Sequence, residues 1–243
     1  MDLFIPERTR IAPACPDEIL SAHGASAVSI EDANFGPEAY LIVAGRSGIR
    51  EVVASSCSVP VLVVDGPPGI PTIERDRLDT AIGTLRRAAH TCRSVPVMDL
   101  DTPKTTVPVA FDAKLMTEAP ASISEFAITC ANEPVAQYRA DGAVLATPMG
   151  SSGYARAGGG PVCAPTLSGI VVVPIAPYRT NPRHWVLDGE VCVTIARDEE
   201  RVSVIVDDDV IATLEADDTI AARLDGQFTC VDVSEGRSAF DGT

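Results

Sequence analysis

The chain has 243 residues, 34 of them acidic against 19 arginines and lysines, for a formal charge of −15 at pH 7. That length allows one large domain or two modest ones, each with its own core, and the lack of a basic stripe argues against nucleic acid as a partner. The longest apolar run, GIVVVPIA, is far too short to cross a bilayer, so no membrane partner is expected.

Only two of the cations are lysines, Lys104 and Lys114. Acid excess with so little lysine suits a halophilic protein, soluble in molar salt, where carboxylates stay hydrated and their repulsion is screened; an ordinary acidic protein is the competing reading. The opening MDLFIPERTR has no basic start followed by a long apolar core, so the expected location is cytoplasmic. Seven cysteines and three histidines are scattered, with no C-x-x-C pair. Free thiols, no metal site and no nucleophile–histidine arrangement are expected.

In chain order, the first forty residues give no clear element. AYLIVAG (39–45) reads as a buried strand and 47–55 as helix. VPVLVVDG (59–66) is a second strand, closed by the turn signal Gly66-Pro67-Pro68-Gly69. ERDRLDTAIGTLRRAAHTC (74–92) carries Leu78, Ala81, Ile82, Leu85 and Ala89 at helical spacing, with acids early and arginines late. This rhythm predicts a small parallel α/β layer over 1–102, with DLDTPKTTVP (99–108) as the crossing to a second domain.

Beyond Pro103 the pattern turns to strands. SISEFAITC and VAQYRADGAVLATP flank Asn132-Glu133-Pro134, which reads as a hairpin turn. EVCVTIA and RVSVIV read as a second hairpin, turning at Arg197–Glu200, with Val202, Val204 and Val206 on one face. LSGIVVVPIAPYRT is a strand closed by prolines. Several short alternating strands predict a β-sandwich or barrel over 103–228, followed by a tail at 229–243. Asp207-Asp208-Asp209 reads as a solvated turn.

DGAVLATPMGSSGYARAGGGPV (141–162) is the stretch richest in small residues. Glycines there let backbone amides approach a ligand closely, or let a corner between strands pack tightly. With YRA before it, the stretch resembles the central motif of the NAD kinase family, Y-R-A-D-G-x-I-V-S-T-P-T-G-S-T-A-Y-x-x-x-A-G-G-P. The resemblance continues through VVVPIAPYRTNPRHWVL (171–187) and IVDDDVIATLEADDTIAARL, so it spans roughly 110–225. It implies α/β plus all-β architecture: a small N-terminal Rossmann-like domain followed by a β-sandwich, with a dinucleotide bound between them, usually in a homo-oligomer. It also implies an NAD-binding set of Asp112, Asp141, Thr147, Ser151, Ser152, Gly153 and Tyr154.

The departures from the family are equally specific. Where it carries G-G-D-G-T after a buried strand, this chain reads Ala44-Gly45-Arg46-Ser47-Gly48. Gly45, Arg46, Ser47 and Gly48 keep the makings of a phosphate-binding turn, with Ser47 as a helix cap. A guanidinium cannot serve as the base that the family's aspartate provides, so no catalytic residue is assigned; Asp65 is the nearest substitute carboxylate by topology. The family's Asn-Glu pair falls at Asp112-Ala113, and its His-Ser-Leu at Tyr178-Arg179-Thr180. Three functions stay open: an NAD kinase making NADP with ATP or polyphosphate, needing Mg²⁺ if active; a catalytically impaired sensor of NAD(P); or a partner subunit of an intact kinase.

Overall fold

The computed structural model describes residues 2–6, 25–28, 39–119, 122–178, 183–197 and 201–233. Two compact units divide the chain: Met1–Val95 with Gln227–Thr243, and Pro96–Gly226. The chain passes from one to the other inside two strands, Thr91–Asp101 and Thr219–Asp232.

The first unit is a parallel layer. Strand β1 (Asp2–Pro6) lies between β2 (Ala25–Val28) and β3 (Ala39–Ala44), and β3 pairs with β4 (Val61–Val64), all in parallel. Leu41, Ile42 and Val43 in β3, like all four residues of β4, are buried, as strands covered on both faces require. Helix α1 (Gly45–Ala54) follows β3 without a loop, because Gly45 takes φ +61° and turns the chain sharply. Its inner stripe is Gly48, Ile49, Val52 and Val53. A β-carbon on Gly48 would lie 2.7 Å from that of Val43, so this glycine is what lets α1 sit on β3.

Helix α2 (Leu78–Arg86) buries Leu78, Ala81, Ile82 and Leu85 against Ile42, Leu62 and Val64. It ends six residues before the expected Cys92, and Ala89 is exposed. The reason is local: Ala88 takes φ +52°, and the N–H groups of Ala88 and Ala89 bond back to the carbonyls of Leu85 and Thr84. That pattern closes a helix C-terminus. Helical spacing beyond Arg86 was coincidental, and strand β5 (Thr91–Asp101) takes over.

The second unit is a sandwich. β5 forms a hairpin with β6 (Thr106–Val109), pairing Met98 with Val109. The 99–108 stretch is therefore a hairpin inside this unit and not the crossing between units. The remaining strands are β7 (Asp112–Thr117), β8 (Ser124–Cys130), β9 (Glu133–Ala140), β10 (Gly142–Ala146), β11 (Ile170–Ile175), β12 (Trp185–Leu187), β13 (Val191–Arg197), β14 (Val202–Val206), β15 (Asp209–Leu214) and β16 (Thr219–Asp232). One sheet runs β12-β11-β10-β7-β14-β15; the other includes β16-β13-β8-β9. Between them Phe126, Ile128, Val191, Val193 and Ile195 meet Ala113, Leu115, Leu145, Val172 and Val204.

The β8–β9 hairpin turns at Ala131-Asn132, both at positive φ, one residue ahead of the expected site. That is the two-residue turn whose twist matches the strands. Pro134 then falls on β9, the edge of the sheet among the described strands, where its missing N–H interrupts no ladder on the outer side.

Two further expectations give way. β13 and β14 do not form a hairpin: β13 pairs with β8 and β16, β14 with β7 and β15. Alternation fixes which face of a strand is apolar but not which sheet it joins, and both valine rows face the same core from opposite sides. Of the expected turn at 197–200, residues 198–200 lie outside the described set. The tail expected at 229–243 begins instead as the end of β16, where Cys230 pairs with Val61 and Val231 and Val233 join the first unit's core.

Trp185, the only tryptophan, packs on Tyr138 with ring centroids 6.2 Å apart, and so reports on the sandwich. Phe126→Ala empties a fully buried site. We expect a loss of about 3–5 kcal/mol, read as a lower urea midpoint in Trp185 fluorescence.

Candidate functional site

The site is built at one end of β7 and β10, where Asp112 pairs with Ala146 and the chain leaves β10 into the glycine-rich loop. The turn after β14 closes the same end. Asp207 and Asp208 both take positive φ (46° and 80°). Asp207 is only 4% exposed and accepts the backbone N–H groups of Ala110 at 2.8 Å, Phe111 at 2.8 Å and Asp112 at 3.1 Å. Burial raises its pKa above the ordinary carboxylate value, although those three N–H groups pull the other way. The expectation of a solvated triplet thus fails at its first member.

The loop is held against the same backbone. Thr147 is fully buried; its hydroxyl donates to the Ala110 carbonyl at 2.8 Å and accepts the Gly150 N–H at 3.0 Å. A β-carbon on Gly150 would collide with the Phe111 carbonyl. Ser151 Oγ donates to Pro148 at 2.6 Å and accepts the Cys163 N–H at 2.9 Å. The side chains of Thr147 and Ser151, both expected in the NAD-binding set, are thus hydrogen-bonded within the fold. A β-carbon on Gly158 would meet the Val173 side chain, and one on Gly160 both Val173 and the Ala155 carbonyl, so those glycines serve packing as well. What the loop presents outward is Ser152, Gly153 and Tyr154, the last 41% exposed.

Asp141 belongs elsewhere. It precedes β10 while Thr147 follows it, so at ~3.3 Å per residue the two lie roughly 20 Å apart along the strand. Asp141 is half-buried, and its carbonyl accepts the N–H and hydroxyl of Thr117. The structure brings Asp112, Ser152, Gly153 and Tyr154 to one end and leaves Asp141 at the other. Tyr178 is exposed, and its N–H bonds to the Arg139 carbonyl; Arg179 and Thr180 lie outside the described residues.

Lys114 completes the cluster. Its ammonium donates to Asp208 Oδ1 at 2.8 Å, lies 3.3 Å from Asp112 Oδ1 and sits 5.5 Å from the centre of the Tyr154 ring. Burial would lower its pKa, but the hydrogen bond to Asp208 and the charges of Asp112 and Asp208 outweigh it, and the net shift is upward. A lysine whose folded pKa is raised adds stability in full below its unfolded value, 10.5 here, and loses it as pH rises through the folded value.

Lys114, Asp207 and Asp208 did not enter the sequence-derived site. The available signal was alternation in FDAKL: Phe111, Ala113 and Leu115 are apolar, while Asp112 and Lys114 share the opposite face, and Lys114 is one of only two lysines. The same pleat puts Ala113 in the sandwich core, so the family's glutamate at this position has no polar counterpart here.

In the first unit, Gly45 and Arg46 are half-buried, Ser47 is exposed and Gly48 is buried against Val43. The cap residue is Ala44, and no side chain caps α1. Ser47 is the third helical residue and not the cap expected of it. Asp65 follows β4 beside this turn, at φ +48°, and pairs with Arg75 at 2.9 Å. Among the described residues no three His, Cys, Asp or Glu side chains are grouped to hold a metal ion, and no helix is long and apolar enough to span a membrane.

A parallel α/β layer joined to a β-sandwich is the architecture of two solved pyridine-nucleotide kinases. The yeast NADH kinase complexed with NADH superposes with a TM-score of 0.74 over 97% of this chain and 84% of that one, at 17% identity. The Archaeoglobus fulgidus NAD kinase in complex with ATP gives 0.73 over 98% and 95%, at 18% identity. Residues 112–224 match the family model for the ATP-NAD kinase C-terminal domain. The NAD kinase of Methanosarcina barkeri is 33% identical over 111 residues, which is 45% of this chain and 40% of that protein. That of Methanocorpusculum labreanum is 30% identical over 162 residues, 61% of this chain and 56% of that protein. The chain thus matches about half or less of the length of such relatives. Residues 112–224 are similar to the C-terminal domain of NAD kinases.

Two outcomes test this geometry. Asp207→Ala orphans three buried N–H groups and should cost about 3 kcal/mol or more, Asp207→Asn clearly less, in urea unfolding followed by Trp185. Ala113→Glu, which would restore the family residue, should instead destabilise the sandwich by about 3 kcal/mol or more, because it buries a carboxyl without a partner.

Proposed function

We propose that this chain binds NAD or NADP on the surface formed by Asp112, Ser152, Gly153 and Tyr154, and that any reaction it performs is phosphoryl transfer to the NAD 2′-hydroxyl. One observation carries this reading. Asp112 is 2% exposed, and among the described residues its Oδ1 has the Lys114 ammonium at 3.3 Å but no well-directed hydrogen-bond donor, at the end of β7 where β10 leaves into the glycine-rich loop. A buried carboxylate placed so is an acceptor for hydroxyl or amide donors of a ligand. The match of residues 112–224 to the ATP-NAD kinase C-terminal domain, and relatives named NAD kinase, support the choice of a pyridine dinucleotide.

Phosphates of a donor, ATP or polyphosphate, are assigned to the turn at Gly45, Arg46, Ser47 and Gly48, where the N-terminus of a ten-residue helix has no side-chain cap. Mg²⁺ would accompany such a donor chiefly through its phosphates and water; the described side chains offer no carboxylate set of their own.

A second reading, a sensor or partner subunit without catalysis, is favoured by Arg46, which stands where the family has its aspartate and cannot accept a proton near neutral pH. Asp65 is engaged by Arg75. Assembly of copies, a cytoplasmic location and work at high salt belong to the same proposal.

Calorimetric titration of the folded protein in molar KCl with NAD, NADP and ATP separately is the first test. Heat from NAD or NADP is expected; none from any of the three would overturn dinucleotide binding. Arg46→Asp should raise NADP formation from NAD and ATP by about a hundredfold or more, the scale of a regained general base; no NADP from either protein would favour the non-catalytic reading. Dilution of KCl from molar to about 0.1 M should lower the unfolding midpoint, since less salt leaves the excess carboxylates less screened.

A further inference from the structure

Asp112 carries a penalty that the fold relieves in an unusual way. Its carboxylate is buried on the face of β7 opposite the sandwich core, and Asp207 approaches the same backbone from the β14–β15 turn. Two buried carboxylates so close need a cation. Among the described ion pairs of Asp112, that cation is Lys114, two residues along on the same face of the strand.

Lys114 has little freedom of its own. Its side chain is 11% exposed and lies between Asp112 at 3.3 Å and Asp208 at 2.8 Å, with the Tyr154 ring over it. Asp208 is the exposed partner, with 65% of its side chain accessible. The better hydrogen bond is therefore made to the exposed carboxylate, and the buried one is held by charge at a longer distance. Asp208 fixes the ammonium, and the ammonium pairs with Asp112 Oδ1 at the longer distance, which leaves that oxygen lone-pair capacity for a further donor. Tyr154, the outward ring of the glycine-rich loop, is tied to the same ammonium by the attraction of a cation for an aromatic face.

We propose that Lys114, anchored by Asp208, is a positioning residue that holds the Asp112 carboxylate aimed as an acceptor for ligand hydroxyls, and that it couples this carboxylate to Tyr154. The proposal rests on the dinucleotide-binding reading above. The three carboxylates of the cluster exceed its single ammonium, so the ligand group met here is a neutral hydroxyl-bearing sugar and not a phosphate.

The test is calorimetric NAD titration of the full chain and of Lys114→Met, Lys114→Arg, Asp208→Asn, Asp112→Asn and the Asp112→Asn/Lys114→Met double variant. Lys114→Met and Asp112→Asn should each weaken NAD by about tenfold or more, the scale of one hydrogen bond to a charged group. Lys114→Arg should recover binding to within about threefold, because a guanidinium also bridges two carboxylates. The double variant should be no weaker than Asp112→Asn alone by more than about twofold, since the lysine acts only through the aspartate. Asp208→Asn, which leaves the buried pair intact and so folds even if Lys114→Met does not, should weaken NAD by about threefold or more.

NAD binding by the wild type that is unchanged in Lys114→Met or Asp208→Asn overturns the positioning role and leaves the dinucleotide reading standing. Losses that simply add in the double variant, or persist in Lys114→Arg, show a general structural role and overturn it too. A folded wild type that binds neither NAD nor NADP overturns both.

Discussion

Asp207 is the interaction on which the sandwich end of the molecule depends. A carboxylate 4% exposed would be costly to bury alone, and it is tolerated because three consecutive N–H groups, from Ala110 to Asp112, converge on it. Those N–H groups lie where β7 begins and are aimed at the next turn. By fixing that backbone, Asp207 also fixes the carbonyls of Ala110 and Phe111. The first accepts the Thr147 hydroxyl, and the second is the surface against which Gly150 must pack. One buried side chain therefore ties the turn after β14 to the start of β7, and through it to the exit from β10.

The glycine-rich loop looks different in that light. Its residues are small chiefly because the loop lies on its own strands: Gly150 on Phe111, Gly158 and Gly160 on Val173. Thr147 and Ser151 satisfy buried backbone groups that would otherwise be orphaned. What the loop leaves outward is narrow, comprising Ser152, Gly153 and Tyr154. A loop braced in this way has little conformational freedom left to lose, which is the condition for the binding proposed above.

Charge is arranged with the same economy. In a chain carrying −15 overall, one of its two lysines lies among Asp112, Asp208 and Tyr154. Elsewhere arginine does the bridging: Arg223 joins Asp101, Glu190 and Asp225, and Arg75 joins Asp65. Arg223 spans several carboxylates at a partly exposed surface, and the Lys114 ammonium bridges two in a nearly buried cluster.

Much of this was legible in the sequence, for reasons that are local. The buried strands at 39–44 and 61–64, the helix after Gly45 and the alternation of the sandwich strands follow from periodicity, and the family follows from the residues around 141–161. Alternation could not say that β13 and β14 belong to different sheets, nor that β16 ends in the first unit's core, because those are pairings between distant segments. Helical spacing could not foresee Ala88 closing α2, since that depends on one residue adopting a left-handed conformation. Motif proximity placed Asp141 with Thr147, while a six-residue strand step carries them to opposite ends. The sequence by itself determined which faces are apolar and which family the chain resembles, since these depend on residue type and spacing. Only the tertiary structure decided that Asp207, Asp112, Lys114 and Asp208 meet, because their charges become a site only when β7 and the turn after β14 are brought side by side and water is excluded between them.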